Sequence, residues 1–303
     1  MKKILKVILL STFLLHVPVV WALDPEAART MLEQKDLPFD NDTFVKKTVE
    51  HDFDAVELFL EAGMDPDGAD QYGNTALIMA TIQGYDDIVE LLLDHGADTE
   101  VKDQKFQATP LIWAALKGRT SAATLLIANG ADVNAKESQN GMTALHAAVV
   151  KGYPEIVKIF LVKGVDVNLA DKDGRTALMW AAQVGQIETV KLLLDSGANV
   201  KATDNKANMT AVLAAAARGQ TEILKLLLDR GGNLHDRARD GKTALILAAF
   251  MGSADTVQYL IERGADVNAK DRQGYTALSL AKERGRKNIE DMLIKAGAIN
   301  GEH

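Results

Sequence analysis

The sequence predicts an all-α solenoid of about eight stacked helix–turn–helix repeats with short β-turn fingers. Three observations carry that prediction. A threonine at the head of an alanine-rich apolar run recurs at Thr75, Thr109, Thr143, Thr176, Thr210, Thr243 and Thr276, at intervals of 33 or 34 residues. A glycine closing a second apolar run keeps the same phase at Gly63, Gly96, Gly130, Gly164, Gly197, Gly231, Gly264 and Gly297. Each period contains two apolar stretches, neither long enough to be a stable helix alone, since helices under about 12 residues are marginal in water. A fixed period in this range marks a stacked array, stabilised between neighbours and without a single centre.

Taken in order, residues 1–22 differ from the rest. Lys2, Lys3 and Lys6 precede an apolar run broken by Pro18, and Val20-Trp21-Ala22 places small residues at −3 and −1 of a cleavage point before Leu23. This is the pattern of a secretory signal peptide. The alternative is an uncleaved tether to the inner membrane, for which the run is short against a bilayer core of about 30 Å. Asp24-Pro25-Glu26 then opens a helix with a cap, a proline in the first turn and an acid near the positive end, reaching about Lys35. Thr43–Met64 reads as a degenerate first repeat, its helix headed by Thr43 as a cap. Its alanine face is replaced by Lys46, Lys47, Glu50 and His51, the polar outer surface a terminal repeat needs. Residues 23–69 are thus an N-terminal helix and capping repeat.

Six internal repeats are expected over 70–270, and Asp171–Thr203 shows how one is built. Gly174 supplies a tight turn, Thr176 caps a helix over Ala177–Val184, and Gly185 ends it. Ile187–Ser196 forms a second helix with Ile187, Val190, Leu193 and Leu194 on one face, closed by Gly197. The turns before Thr109, Thr143 and Thr210 are one residue longer than the others. Gln107 and Asn208 stand there in the glycine slot; asparagine tolerates the left-handed region, glutamine does so poorly, so the Gln104–Ala108 turn is expected to take another shape. Residues 271–303 form a C-terminal capping repeat and tail, with Lys282, Glu283, Arg284, Arg286 and Lys287 as its solvated end. At helix spacings of about 8–10 Å, the array is a curved rod of roughly 70–80 Å.

The runs Met142–Ala148 (MTALHAA), Gly130–Lys136 and Gly264–Lys270 (GADVNAK) and Glu155–Asn168 (EIVKIFLVKGVDVN) resemble the ankyrin repeat. The resemblance covers about residues 37–299 and is specific for fold, while leaving the partner open. The family's proline after the threonine is present only at Pro110; alanine stands elsewhere, which as a good helix former keeps the helix.

Composition limits function. The chain is 47% apolar and 25% charged, ordinary for a soluble protein. It has no cysteine, which excludes disulfides, thiolate metal sites and a lipoprotein anchor. The formal net charge is −8, and loss of residues 1–22, with three lysines and no acid, leaves −11. That disfavours nucleic acid and membrane insertion of the mature chain, and suits a protein partner. No nucleophile elbow, zinc-helix, phosphate-loop or dinucleotide motif occurs, and the six histidines are scattered, so no catalytic, cofactor or metal site is expected. Asp171-Lys172-Asp173-Gly174 begins like a calcium loop, but Ala182 stands where the twelfth-position glutamate belongs. His146 lies in T-A-L-H, a histidine that by the resemblance bridges adjacent repeats. The glycosylation triplets at Asn41 and Asn208 place their threonines at helix caps.

By resemblance, a partner binds the finger tips and the concave face of the first helices. By position this names Tyr72 with Ile82, Phe106 with Leu116, Met142 with Val150, Phe250 with Met251, and Tyr275. Ile82, Leu116, Val150 and Phe250 make the helix side of that face apolar, and Trp113 and Trp180 lie beside it. Two arrangements are open for the tryptophans: anchors in an exposed apolar strip, or large residues packed between repeats. The expected whole is a monomeric, exported, periplasmic or secreted interaction protein. It acts as scaffold, protector or inhibitor of an unknown protein, or as an effector that binds a host or competitor protein.

Overall fold

A computed structural model describes residues 23–299; the expected export segment, residues 1–22, lies outside the described residues. Seventeen α-helices are present there, with no strand beyond four isolated bridges at the fingers. Helix α1 (Pro25–Gln34) precedes eight helix pairs. The first helices of the pairs are α2 (Asn41–Val49), α4 (Ala76–Gln83), α6 (Pro110–Lys117), α8 (Ala144–Lys151), α10 (Ala177–Val184), α12 (Ala211–Ala217), α14 (Ala244–Met251) and α16 (Ala277–Glu283). The second helices are α3 (Phe53–Glu61), α5 (Asp86–Asp94), α7 (Thr120–Ala128), α9 (Pro154–Val162), α11 (Ile187–Asp195), α13 (Thr221–Asp229), α15 (Ala254–Glu262) and α17 (Lys287–Lys295).

The start and stop of each first helix follow from its end residues. The hydroxyls of Thr75, Thr109, Thr143, Thr210, Thr243 and Thr276 accept from the backbone N–H three residues on, filling one of the four donors a helix start leaves open. Gly185, at φ 86°, stops α10 in a left-handed conformation that a side chain would strain. Two expected caps differ. The Thr176 hydroxyl makes no such bond and has no partner, which nothing in its surroundings explains. Thr43 lies inside α2: Asp40 is the cap, its carboxylate accepting from the Thr43 N–H at 2.7 Å. The Asp24 side chain makes no cap bond, and α1 starts on Pro25.

Curvature follows from side-chain size. The first helices meet through fully buried alanines such as Ala80, Ala114, Ala148, Ala181, Ala215 and Ala248, so their axes approach closely. Most second helices meet through larger residues, among them Val56, Leu92, Phe160, Leu193, Leu227 and Leu260, and their rows pack less closely. The stack therefore bends toward the first helices, which line its inner side. Burying each such large side chain contributes about 1.5–3 kcal/mol, and the partner surface always comes from an adjacent helix.

Polar ties cross the repeat joints. His146 is fully buried; its Nδ1 accepts from the Thr143 N–H, and its Nε2 donates to the Arg175 carbonyl of the next repeat at 3.1 Å. Asn168 accepts from the Asn199 N–H at 2.7 Å and donates to Gly197, and Asn268 does the same toward Ile299 and Gly297.

The ends are finished differently. α1 packs on α3, burying Ala28 and Leu32, while Phe39 stacks on Phe59 at 6.0 Å under the Arg29 guanidinium. Lys47 pairs with Glu50 at 2.8 Å and with Asp52 at 3.2 Å on the polar end. His51 belongs to that polar surface as expected and also reaches the next repeat: its exposed ring stacks on Tyr85 at 3.9 Å and its Nε2 lies 3.0 Å from Asp87. Arg284 is exposed, as expected of the solvated C-terminal end, and lies over the Phe250 ring of the preceding repeat at 4.1 Å.

Candidate functional site

Within each first helix, packing leaves a strip uncovered at the residues seven and eight positions after the cap threonine; the residue four positions on joins it at Met79, Trp113, Trp180 and Leu247 but is buried at Ala147, Ala214 and Leu280. The residues five and six positions on are buried against neighbouring helices, except Lys282 in α16. The seven-position row is Ile82, Leu116, Val150, Gln183, Ala217, Phe250 and Glu283; all but the last are half-buried. The eight-position row, Gln83, Lys117, Lys151, Val184, Arg218, Met251 and Arg284, is exposed. No acid occurs in α4, α6, α8, α10, α12 or α14. Acids concentrate on second helices, as in α5 with Asp86, Asp87, Glu90 and Asp94. The inner face is thus apolar and weakly basic on a net-acidic chain.

The fingers form the other wall, six of the seven built around one carboxylate. Asp171 accepts from the Asp173 and Arg175 N–H groups, each at 2.9 Å. Asp70 does the same for Tyr72 and Asn74, and Asp271 for Gln273 and Tyr275. In the longer third finger, Asp103 takes the N–H groups of Lys105, Phe106 and Ala108. This network outweighs the backbone preference of glutamine. Gln107 takes the left-handed conformation at φ 55°, beside Asn208 at 53°, and its amide donates to the Asp103 carbonyl at 2.9 Å. The expectation that Gln107 forces a different conformation in that slot is therefore corrected. Successive fingers are joined by backbone bonds, from Ser138 to Phe106, Lys172 to Asn140, Asn205 to Asp173, Arg239 to Ala207 and Arg272 to Asp240.

Of the eleven residues expected at the binding face, only Tyr72 and Met251 are exposed, at 72% and 46%. Ile82, Phe106, Trp113, Leu116, Met142, Val150, Trp180, Phe250 and Tyr275 are half-buried, so the apolar row is a partly sunk strip, between an exposed strip and full packing between repeats. Trp113 and Trp180 pack on the core, and each indole N–H donates to the carboxylate of its own finger, Asp103 or Asp171, at 3.1 Å. Phe106 meets the Trp113 ring edge-on at 5.8 Å, with Lys105 and Lys117 over the two rings. Arg175 covers the face of Trp180 at 3.6 Å and bonds Gln183; burial lowers the proton affinity of this guanidinium, with Asp171 opposing.

Some of the eleven come together and others do not. Met251 shares a recess of about 410 Å³ with Met179, Met209, Ala217, Arg175 and Arg218. Tyr72 borders a separate recess with Met79, Val49, Lys46 and Asp42. Met142 and Tyr275 sit at finger bases with their N–H groups held by Glu137 and Asp271. The finger carboxylates and Met179 were missed as contributors. The carboxylates had a visible signal, an acid five or six residues before the cap threonine in six of seven repeats.

Among the described residues no group of three potential metal ligands occurs, and no helix is long and apolar enough to cross a membrane. A family model described as "Ankyrin repeats (3 copies)" matches residues 19–103, 45–137, 111–204 and 212–302. No curated protein matches the chain.

Proposed function

Because the chain belongs to the ankyrin-repeat family, whose repeats are generally protein–protein interaction modules, we propose that it binds a partner protein in the cell envelope along its inner helix face and finger tips. It serves there as scaffold, protector or inhibitor. One observation carries this reading: six consecutive first helices present half-buried or exposed apolar residues with no acid among them. Desolvating such a strip costs little in lost charge hydration, and its aromatic and methionine side chains offer the area that dominates interface energies.

The envelope location rests on residues 1–22, whose basic start, apolar run and Val20-Trp21-Ala22 end favour export. Mass determination of the mature N-terminus, expected at Leu23, and fractionation of envelope from medium test it. The face is tested by Leu116→Asp with Phe250→Asp. The doubly changed chain, shown folded by circular dichroism, should lose the partner that wild type yields on crosslinking in its native compartment. Undiminished capture would overturn the reading.

A further inference from the structure

Six of the seven full fingers start on a buried or half-buried carboxylate: Asp70, Asp103, Glu137, Asp171, Asp204 and Asp271. The seventh starts on Ala238. The N–H two residues on, which donates to the carboxylate at Tyr72, Asp173 and Gln273, belongs here to Asp240 and has no finger carboxylate to donate to. Around this vacated slot the charge is one-sided. A recess of about 470 Å³ is lined by Arg237, Arg239, Lys270 and Arg272, with Asp271 as its one acid. The Asp271 side chain is nearly fully buried and already accepts from Gln273 and Tyr275.

The cations are held but not neutralised. Arg237 donates to the carbonyls of Gly241 and Lys270, each at 2.9 Å, and Arg239 to the carbonyl of Asn205. Carbonyls fix a guanidinium in place and leave its charge uncompensated. Arg239, Lys270 and Arg272 make no ion pair among the described residues, unlike Lys206 with Asp173 at 2.9 Å and Lys242 with Asp240 at 2.5 Å. A second recess of about 600 Å³ shares Ala238, Arg239 and Arg272 with it; Met209 and Leu247 also line it, and its one acid, Asp240, is paired with Lys242.

We propose that the fingers starting at Asp204, Ala238 and Asp271 form an anion-binding site for an acidic segment of the partner protein, one that seats carboxylates in the Arg237–Arg272 recess and an apolar residue on Met209 and Leu247. This rests on the recognition reading above and names the chemistry of what is recognised. Fixed guanidinium forks match carboxylates in geometry and charge. A nucleic acid fits less well, since a long polyanion needs an extended basic track and this chain is net acidic.

The test is calorimetric titration of the full chain, at low and physiological salt, with a short glutamate-rich peptide carrying one leucine, its glutamine analogue and inorganic phosphate. The glutamate peptide should bind, more weakly as salt rises, and the glutamine analogue should not. Arg239→Gln with Arg272→Gln should weaken binding about tenfold or more, a loss of about 1.4 kcal/mol. Ala238→Asp, which restores the finger carboxylate, should weaken it comparably while the thermal midpoint stays or rises, so that lost binding is not lost folding. Equal binding of both peptides, binding of phosphate but not peptide, or unchanged affinity in Ala238→Asp would each overturn the proposal. Leu116→Asp with Phe250→Asp should retain the peptide, so the groove and the finger site fail separately.

Discussion

Removing the Asp171 carboxylate should destabilise the protein by several kcal/mol. In Asp171→Ala the N–H groups of Asp173 and Arg175, both at 2.9 Å, and the Trp180 indole N–H at 3.1 Å lose their acceptor together. A hydrogen bond to a charged group contributes about 1.5–3 kcal/mol when its loss leaves the donor buried, and less where water enters. The two backbone donors belong to half-buried residues, so the expected cost is about 3–5 kcal/mol, below the sum of three buried bonds. Urea unfolding followed by far-ultraviolet circular dichroism measures it. Asp171→Asn retains an acceptor and should recover about half. Trp180 emission should shift in the native baseline, because its N–H partner is gone. A loss under about 0.5 kcal/mol would refute the reasoning, showing that water replaces the carboxylate without penalty.

Three other outcomes follow from the same physics. Burial lowers the proton affinity of His146, and its Nε2–H bond to Arg175 only partly opposes this. The unfolded chain therefore binds the extra proton first, so His146's stabilisation is present above about pH 6.5 and is lost as pH falls below it; His146→Asn should flatten that slope in pH-dependent melts. Leu193→Ala, at a fully buried position in α11, should cost about 2–5 kcal/mol in urea. Gly197→Ala meets no neighbour within 4 Å but sits at φ 86°, so a loss of about 1–2 kcal/mol would measure backbone strain alone.

The repeat architecture was legible because its markers are local. Thr176 and Gly185 bound α10 at the residues expected, each acting through its own backbone. What escaped depends on neighbours. Gln107 looks unsuited to a left-handed slot until the Asp103 carboxylate, gathering three backbone N–H groups, is seen to hold the loop around it. Thr43 and Asp40 are both good caps by residue type, and it is Asp40 that caps α2. His51 is the surface residue expected, but its contacts with Tyr85 and Asp87 of the next repeat have no local signal. The inner face was located by position, but its depth was not: side-chain burial at Ile82, Leu116 and Phe250 depends on how closely adjacent alanine faces approach.

The claim that recognition belongs to the inner side is tested most directly by photo-crosslinking from four exposed apolar positions. Val184 and Met251 lie on first helices, Val162 and Ile294 on second helices, and all four are at least 43% exposed, so accessibility does not bias the comparison. A photoreactive residue at Val184 or Met251 should capture the partner in the native compartment, and one at Val162 or Ile294 should not. Capture from Val162 or Ile294 with none from the inner pair would contradict the account.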